Sequence, residues 1–161
     1  NDPFPNPRAR YALLWPATVL QVCALGGIAM TTATLLFTVP SPGTSREAVA
    51  AGSVMICGAA IFMMIGAELM WRLKNFELSV LTAFSGLVPF LHNSLIFGSV
   101  AAFWSLVLLW RKPNRAAFEL SAEERAALPY PGPLYRLGVL LLIATVISTV
   151  LGSLALLIGM I

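Results

Sequence analysis

Hydrophobic positions along the chain form four long stretches separated by polar segments, a pattern that predicts membrane-crossing helices. The predicted segments are residues 11–39, 47–71, 76–110 and 135–161. At about 1.5 Å of rise per residue, the first two are each longer than the ~30 Å hydrocarbon core of a bilayer. We therefore expect an all-α integral membrane helical bundle that forms a single transmembrane domain over residues 1–161.

The third stretch is the ambiguous one. Its 35 residues are too many for one comfortable helix and too few for two spans with a turn between them. Pro89, His92 and Asn93 interrupt it. Four complete spans are the favoured prediction, because non-helical backbone in lipid must be covered by protein. A third segment that is broken or re-entrant around Pro89–Asn93 is the alternative.

The polar connection, residues 111–134, contains one local helix signal. Ser121 precedes Glu124 by three residues, which is the spacing of a capping box. The sequence therefore predicts a short helix over about residues 122–128, which ends before Pro129.

An aromatic residue lies beside a basic residue at one end of each segment. Amphipathic rings and arginine side chains favour the headgroup layer of a bilayer, so these residues are predicted interface anchors. The anchors are Tyr11, Trp71, Arg72, Trp110, Arg111, Tyr135 and Arg136. Four spans divide the basic residues four against six between the two sides. A re-entrant third segment divides them nine against one, leaves only Arg46 on the far side, and gives all the anchors a common face.

Composition excludes a soluble domain. Hydrophobic residues make up 58% of the chain, charged residues 11%, and the mean hydropathy is +0.85, whereas soluble domains carry about 25% charged residues. The net charge is +3, but no cluster of adjacent basic residues favours a nucleic-acid partner. Cys23 and Cys57 lie in apolar runs with no neighbouring ligand residues, so we expect no metal site and no cofactor.

Small residues recur every four positions in the apolar segments. Such rows let helix backbones approach closely in lipid. We predict that these residues pack helices together, mainly within the chain and secondarily against other subunits. The predicted packing residues are Gly27, Ser53, Cys57, Gly98, Ala102, Ala144, Ser148 and Gly152.

Two residues are candidates for an ion or proton site. Glu68 is the acid set deepest in an apolar run, and His92 is the single histidine. Intramembrane acids are functional candidates by default, but Glu68 precedes Arg72 by four residues, the favourable orientation for a helix-surface ion pair. We favour the ion pair for Glu68 and a hydrogen-bonded role for His92. Thr82 and Ser85 share a helical face with His92 and form a mildly polar stripe.

Motifs of catalysis are missing from the sequence: there is no GxSxG, no HExxH and no glycine-rich phosphate loop. We therefore expect no enzymatic activity. The favoured hypothesis is a non-catalytic, multi-pass membrane subunit that contacts lipid and other integral membrane subunits and helps to assemble or stabilise a complex. The alternative is a small oligomeric transporter or channel that uses Glu68 and the Thr82/Ser85/His92 stripe.

Overall fold

A computed structural model describes residues 6–37, 45–87 and 96–159. These residues form seven helices and no strand. The helices are α1 (Ala9–Phe37), α2 (Arg46–Trp71), α3 (Phe76–Gly86), α4 (Ile96–Trp110), α5 (Lys112–Phe118), α6 (Ala122–Ala127) and α7 (Pro133–Gly159). The all-helical prediction is confirmed for this part of the chain.

The first four helices meet at Gly86. A Cβ atom built on Gly86 would lie 2.8 Å from Ala102 Cβ in α4, 3.1 Å from Leu20 Cδ2 in α1 and 3.8 Å from Met63 Sδ in α2. Four helices approach this closely only where one of them lacks a side chain. Gly86 therefore fixes the position of α3, along the helix axis, relative to its three neighbours.

The described residues of the third apolar stretch form two helices. α3 has 11 residues and α4 has 15, so they rise only about 16 Å and 22 Å, and each is shorter than a ~30 Å hydrocarbon core. Gly86, the last residue of α3, lies against Ala102 in the middle of α4. Phe76, the first residue of α3, packs edge-to-face on Phe118 of α5, with 5.4 Å between ring centroids. The stretch thus returns to the end of the bundle from which it left. The predicted interruption, Pro89–Asn93, lies outside the described residues.

A short turn with a defined geometry joins α2 to α3. Leu73 has a positive φ of 58°, and its N–H donates to the Met70 carbonyl while that of Lys74 donates to the Leu69 carbonyl. These two bonds form a Schellman motif, which ends a helix and reverses the chain. Leu73 takes the left-handed position usually given to glycine, and its fully buried side chain packs in the core. Asn75 then caps α3 by accepting from the N–H of Leu78 at 3.1 Å.

The buried core lies toward one end of the bundle. The core contains residues from the first half of α1, the second half of α2, from α3, α4 and α5, and from part of α7. Its largest fully buried side chains include Leu13, Leu20, Met63, Met70, Trp71, Leu73 and Leu109. In the other halves of α1 and α2, by contrast, large apolar side chains are exposed, among them Met30, Leu36, Val54 and Met55.

Among the residues that the structure describes, two helices are long and apolar enough to cross a membrane, over Ala9–Leu36 and Glu47–Trp71. The apolar stretches Phe97–Trp110 and Pro133–Ser148, taken within the described residues, are shorter. Four full spans are therefore not confirmed. α5 was not predicted from the sequence: Pro113 lies in its first turn, and it forms because Asn114, Ala117 and Phe118 bury one face.

The tightest contact between α2 and α3 lies at Gly66. A Cβ atom on Gly66 would overlap the hydroxyl oxygen of Thr82 and lie 2.7 Å from Thr82 Cβ. Rotation of the Thr82 side chain does not relieve the second contact. We predict that Gly66→Ala separates α2 from α3 and lowers the free energy of unfolding by about 1–3 kcal/mol, measured by chemical denaturation in detergent.

Gly58 provides the matched control on the same helix. No atom of residues 6–37, 45–87 or 96–159 lies within 4 Å of a Cβ atom built on Gly58. Gly58→Ala should therefore leave stability unchanged or raise it by up to about 1 kcal/mol through helix propensity. Equal effects of the two substitutions would contradict the close α2–α3 contact.

Candidate functional site

Most of the charged and aromatic residues gather at one end of the bundle, which we call the polar end. It consists of the N-terminal ends of α1, α3 and α7, the C-terminal ends of α2 and α4, and the short helices α5 and α6. All basic residues except Arg46 lie in these parts of the chain, whereas Arg46 begins α2 at the opposite end. Two bonds attach the chain before α1 to α5: the Asn6 N–H donates to the Pro113 carbonyl at 3.0 Å, and Asn6 Nδ2 donates to Asn114 Oδ1 at 2.8 Å.

The centre of the polar end is the Glu68 carboxylate, which accepts hydrogen bonds from three helices. Its Oε2 accepts from Trp71 Nε1 at 2.8 Å, from Gln21 Nε2 at 3.2 Å and from Arg136 at 3.5 Å. Its Oε1 pairs with Arg72, both Nε and the terminal nitrogen lying at 2.6 Å. The carboxylate is thus surrounded by donors from α1, α2 and α7, and its side chain is 28% exposed.

The Trp71 ring strengthens this arrangement. It is almost fully buried, with 1% of its surface exposed. The Arg136 guanidinium lies over the ring at 4.2 Å from its centroid, and that of Arg72 lies at 5.5 Å. Each arginine therefore interacts with both the Glu68 carboxylate and the face of the Trp71 ring. These interactions offset part of the free-energy cost of removing the charged groups from water.

Arg10 connects α1 to α6. Its guanidinium donates to the Arg125 carbonyl at 2.7 Å and to the Leu128 carbonyl at 3.0 Å. These are carbonyls at the C-terminal end of α6, where a cation satisfies unpaired acceptors and the helix dipole. The same guanidinium lies 5.3 Å from the centroid of the Tyr130 ring, and Tyr130 packs edge-to-face on Trp71 at 5.4 Å.

The two short helices have caps of their own. Ser121 and Glu124 form a reciprocal capping box on α6. The hydrogen bond that the Ser121 backbone N–H donates to the Glu124 carboxylate, at 2.9 Å, lowers the pKa of that carboxyl group. Arg125 donates to the carbonyls of Leu120 at 2.8 Å and Phe118 at 3.3 Å, and thereby caps the end of α5.

The predicted interface anchors all lie at the polar end, and several contact one another. Tyr11 packs edge-to-face on Tyr135 at 5.5 Å, and Trp71 lies beneath Arg72 and Arg136. Trp110 contacts Phe84 at 6.0 Å, and Arg111 precedes α5 with its side chain exposed.

Of the residues named for the predicted ion site and its polar stripe, the structure describes Glu68, Thr82 and Ser85. Glu68 takes its partners from α1, α2 and α7, whereas Thr82 packs on Gly66 in the contact between α2 and α3. Ser85 donates its hydroxyl to the Thr82 carbonyl at 2.8 Å. The Thr82 hydroxyl is buried without a hydrogen-bond partner in the part of the chain that the structure describes. His92 lies outside the described residues.

The predicted packing residues differ in their surroundings. Gly27, Gly98 and Ala102 are buried, Ser53, Cys57 and Ala144 are half-buried, and Ser148 is exposed. Ser53 donates its hydroxyl to the Val49 carbonyl of its own helix at 2.8 Å. Gly152 lies in α7, but its surroundings are not among those that the structure describes.

Neither metal ligation nor a known relative points to a function. Within residues 6–37, 45–87 and 96–159, no group of three or more His, Cys, Asp or Glu side chains is placed to hold a metal ion. No protein family, curated protein or solved structure matched the chain.

Sequence reasoning missed the long-range contacts of three residues at the polar end. Gln21 and Arg136 lie 47 and 68 residues from Glu68, and Arg10 reaches carbonyls 115 and 118 residues away. Spacing along the chain indicates only local partners such as Arg72. The one signal in the sequence was the aromatic–basic pair at one end of each segment. It indicates that these residues share a face, but not that they contact one another.

We predict that Glu68→Gln loosens α7 from α1 and α2. The amide keeps the shape of the carboxylate but leaves Arg72 and Arg136 without their anion. The free energy of unfolding should fall by about 1–2 kcal/mol, since the carboxylate is partly exposed and its charge is screened by solvent. Hydrogen–deuterium exchange should rise in the first turns of α7, residues 133–140, and Arg136→Gln should raise it in the same peptides.

Glu119→Gln is the matched control, because the Glu119 pair with Arg115 is long, at 3.9 Å, and exposed. It should leave exchange in α7 unchanged. Unaltered α7 exchange in Glu68→Gln would contradict the clamping role of the carboxylate.

Proposed function

We propose that the chain is an integral membrane protein in which α1, α2 and α7 cross the bilayer and α3 and α4 form a re-entrant hairpin. The lengths of α3 and α4 and their common end support this arrangement over four complete spans. In this arrangement every basic residue except Arg46 lies on one side of the membrane. Since cytoplasmic segments of membrane proteins are enriched in Lys and Arg, the polar end faces the cytoplasm.

Cysteine labelling tests this topology. In a variant with Cys23 and Cys57 replaced by Ala, we expect Glu47→Cys and Ser121→Cys to react with an impermeant maleimide from opposite sides of sealed vesicles. Lys74→Cys is the control and should react from the same side as Ser121→Cys. Four complete spans require the reverse: Glu47 and Ser121 on one side, and Lys74 on the other.

We further propose that the protein is a non-catalytic subunit that packs against partner subunits in a membrane complex. The observation that carries this proposal is the open small-residue surface beyond the core. Within the part of the chain that the structure describes, nothing lies within 4 Å of Cβ atoms built on Gly26, Gly52 and Gly58. Lipid needs no such surface, whereas partner helices use small residues to bring backbones close together.

The occupied state of Glu68 argues against the transporter alternative. Its carboxylate oxygens already accept from Trp71, Gln21, Arg72 and Arg136. To bind and release an ion, a carrier site must break its bonds to these donors. The contacts that join α2 to α7 would then be lost.

A substitution at an open glycine separates association from folding. We expect Gly58→Leu to keep the thermal stability of the purified chain, because the space around Gly58 is empty, and to lower recovery of partner subunits from native membranes about tenfold through steric exclusion. Met55→Leu, at an exposed large residue of the same helix, is the control and should keep the partners. Equal recovery from both variants would contradict the proposal, as would ion flux by the purified chain in liposomes that Glu68→Gln abolishes.

A further inference from the structure

An apolar groove of about 620 Å³ opens on the side of the bundle between α1, α4 and α7. Its walls include Trp15 and Val19 from α1, Val100 and Trp104 from α4, and Ile143 and Ile147 from α7. Every side chain that lines it is apolar or aromatic. Its volume lies within the roughly 300–1,000 Å³ range of ligand-binding pockets in proteins.

One end of the groove lies at the polar end of the bundle. Trp15 Nε1 donates a hydrogen bond to the Tyr135 hydroxyl at 3.3 Å, and Tyr135 packs on Tyr11. Tyrosine and tryptophan with polar atoms at this level are typical of the boundary between hydrocarbon and headgroups. The groove therefore runs from the headgroup layer into the hydrocarbon layer.

Two arginines continue the faces of the helices that form the groove. Arg8 precedes Trp15 by seven residues, and Arg111 follows Trp104 by seven. Seven residues return to nearly the same face of a helix, about 10 Å along its axis. Both positions continue helical turns, because Ala12 N–H donates to the Arg8 carbonyl and Arg111 N–H to the Leu108 carbonyl.

These arginines are available to a ligand. Both are exposed, and neither forms a salt bridge with an acidic side chain among the described residues, where the pairs involve Arg72, Arg115 and Arg136. The third wall has an arginine in the equivalent position, Arg136, seven residues before Ile143, but its guanidinium is bound to Glu68.

We propose that this groove binds an anionic phospholipid, with an acyl chain against the apolar walls and the phosphate between Arg8 and Arg111. Arginine forms paired, charge-assisted hydrogen bonds with phosphate oxygens. A partner helix fits the groove poorly, because its walls carry large side chains at Trp15, Phe97 and Trp104, whereas close helix packing in lipid requires small ones. This inference rests on the membrane placement proposed above but not on partner subunits.

The test compares two lipids with identical dioleoyl chains, phosphatidylglycerol and phosphatidylcholine. The purified full chain is mixed with each lipid in detergent, and retained lipid is counted by native mass spectrometry. We expect phosphatidylglycerol to be retained about 10- to 30-fold better, from two arginines facing one phosphate. The double variant Arg8→Gln, Arg111→Gln should remove this preference.

The control double variant, Lys74→Gln with Arg115→Gln, loses the same charge on the other side of the polar end, where Arg115 lies over the Phe76 ring at 5.3 Å. It should keep the preference. Val100→Trp should fill the groove and reduce retention of both lipids, whereas Leu81→Trp, at a similarly exposed residue of α3, should not.

Three outcomes overturn the inference: equal retention of the two lipids by the unaltered chain, an equal loss of preference in both double variants, or full retention in Val100→Trp. A chain that stays in solution without detergent and retains neither lipid overturns the membrane placement as well. Lipid preference without recovery of partner subunits contradicts only the subunit proposal.

Discussion

The architecture depends on neutralising charge at one end of an otherwise apolar bundle. Glu68 lies in the last turn of α2, where a free carboxylate would be costly to place in hydrocarbon. Its oxygens accept from Gln21 on α1, from Trp71 and Arg72 on α2 and from Arg136 on α7. One carboxylate thereby contacts side chains from three long helices, next to the apolar core that these helices form with α3, α4 and α5.

The polar end also explains why the short helices exist. Isolated helices of six or seven residues are unstable in water, yet α5 and α6 are held by arginines from outside their own turns. Arg10 caps α6 from α1, and Arg125 caps α5 from α6. The connection between α4 and α7 is therefore part of the folded end of the bundle, and its position depends on the same helix, α1, that supplies Gln21 to Glu68.

The open surfaces of the bundle differ in chemistry, and for this reason we propose different occupants for them. Small residues with no described neighbour within 4 Å of an added Cβ atom, such as Gly52 and Gly58, favour a helix that approaches closely. Large apolar walls beside free arginines favour a lipid with a charged headgroup. Both assignments use the same principle: in a bilayer the hydrophobic effect does not drive helices together, so shape and polar groups choose the contacts.

The sequence by itself determined the apolar stretches, the all-helical class and the level of the aromatic–basic anchors, because hydropathy and helix caps act over a few residues. It also indicated the Glu68–Arg72 pair, four residues apart on one helix. Only the tertiary structure decided that Gln21 and Arg136 join Glu68, and that α3 and α4 return to the same end. Those features rest on contacts between segments remote in the chain, such as Gln21 with Glu68 and Gly86 with Leu20, and no local periodicity carries information about such contacts.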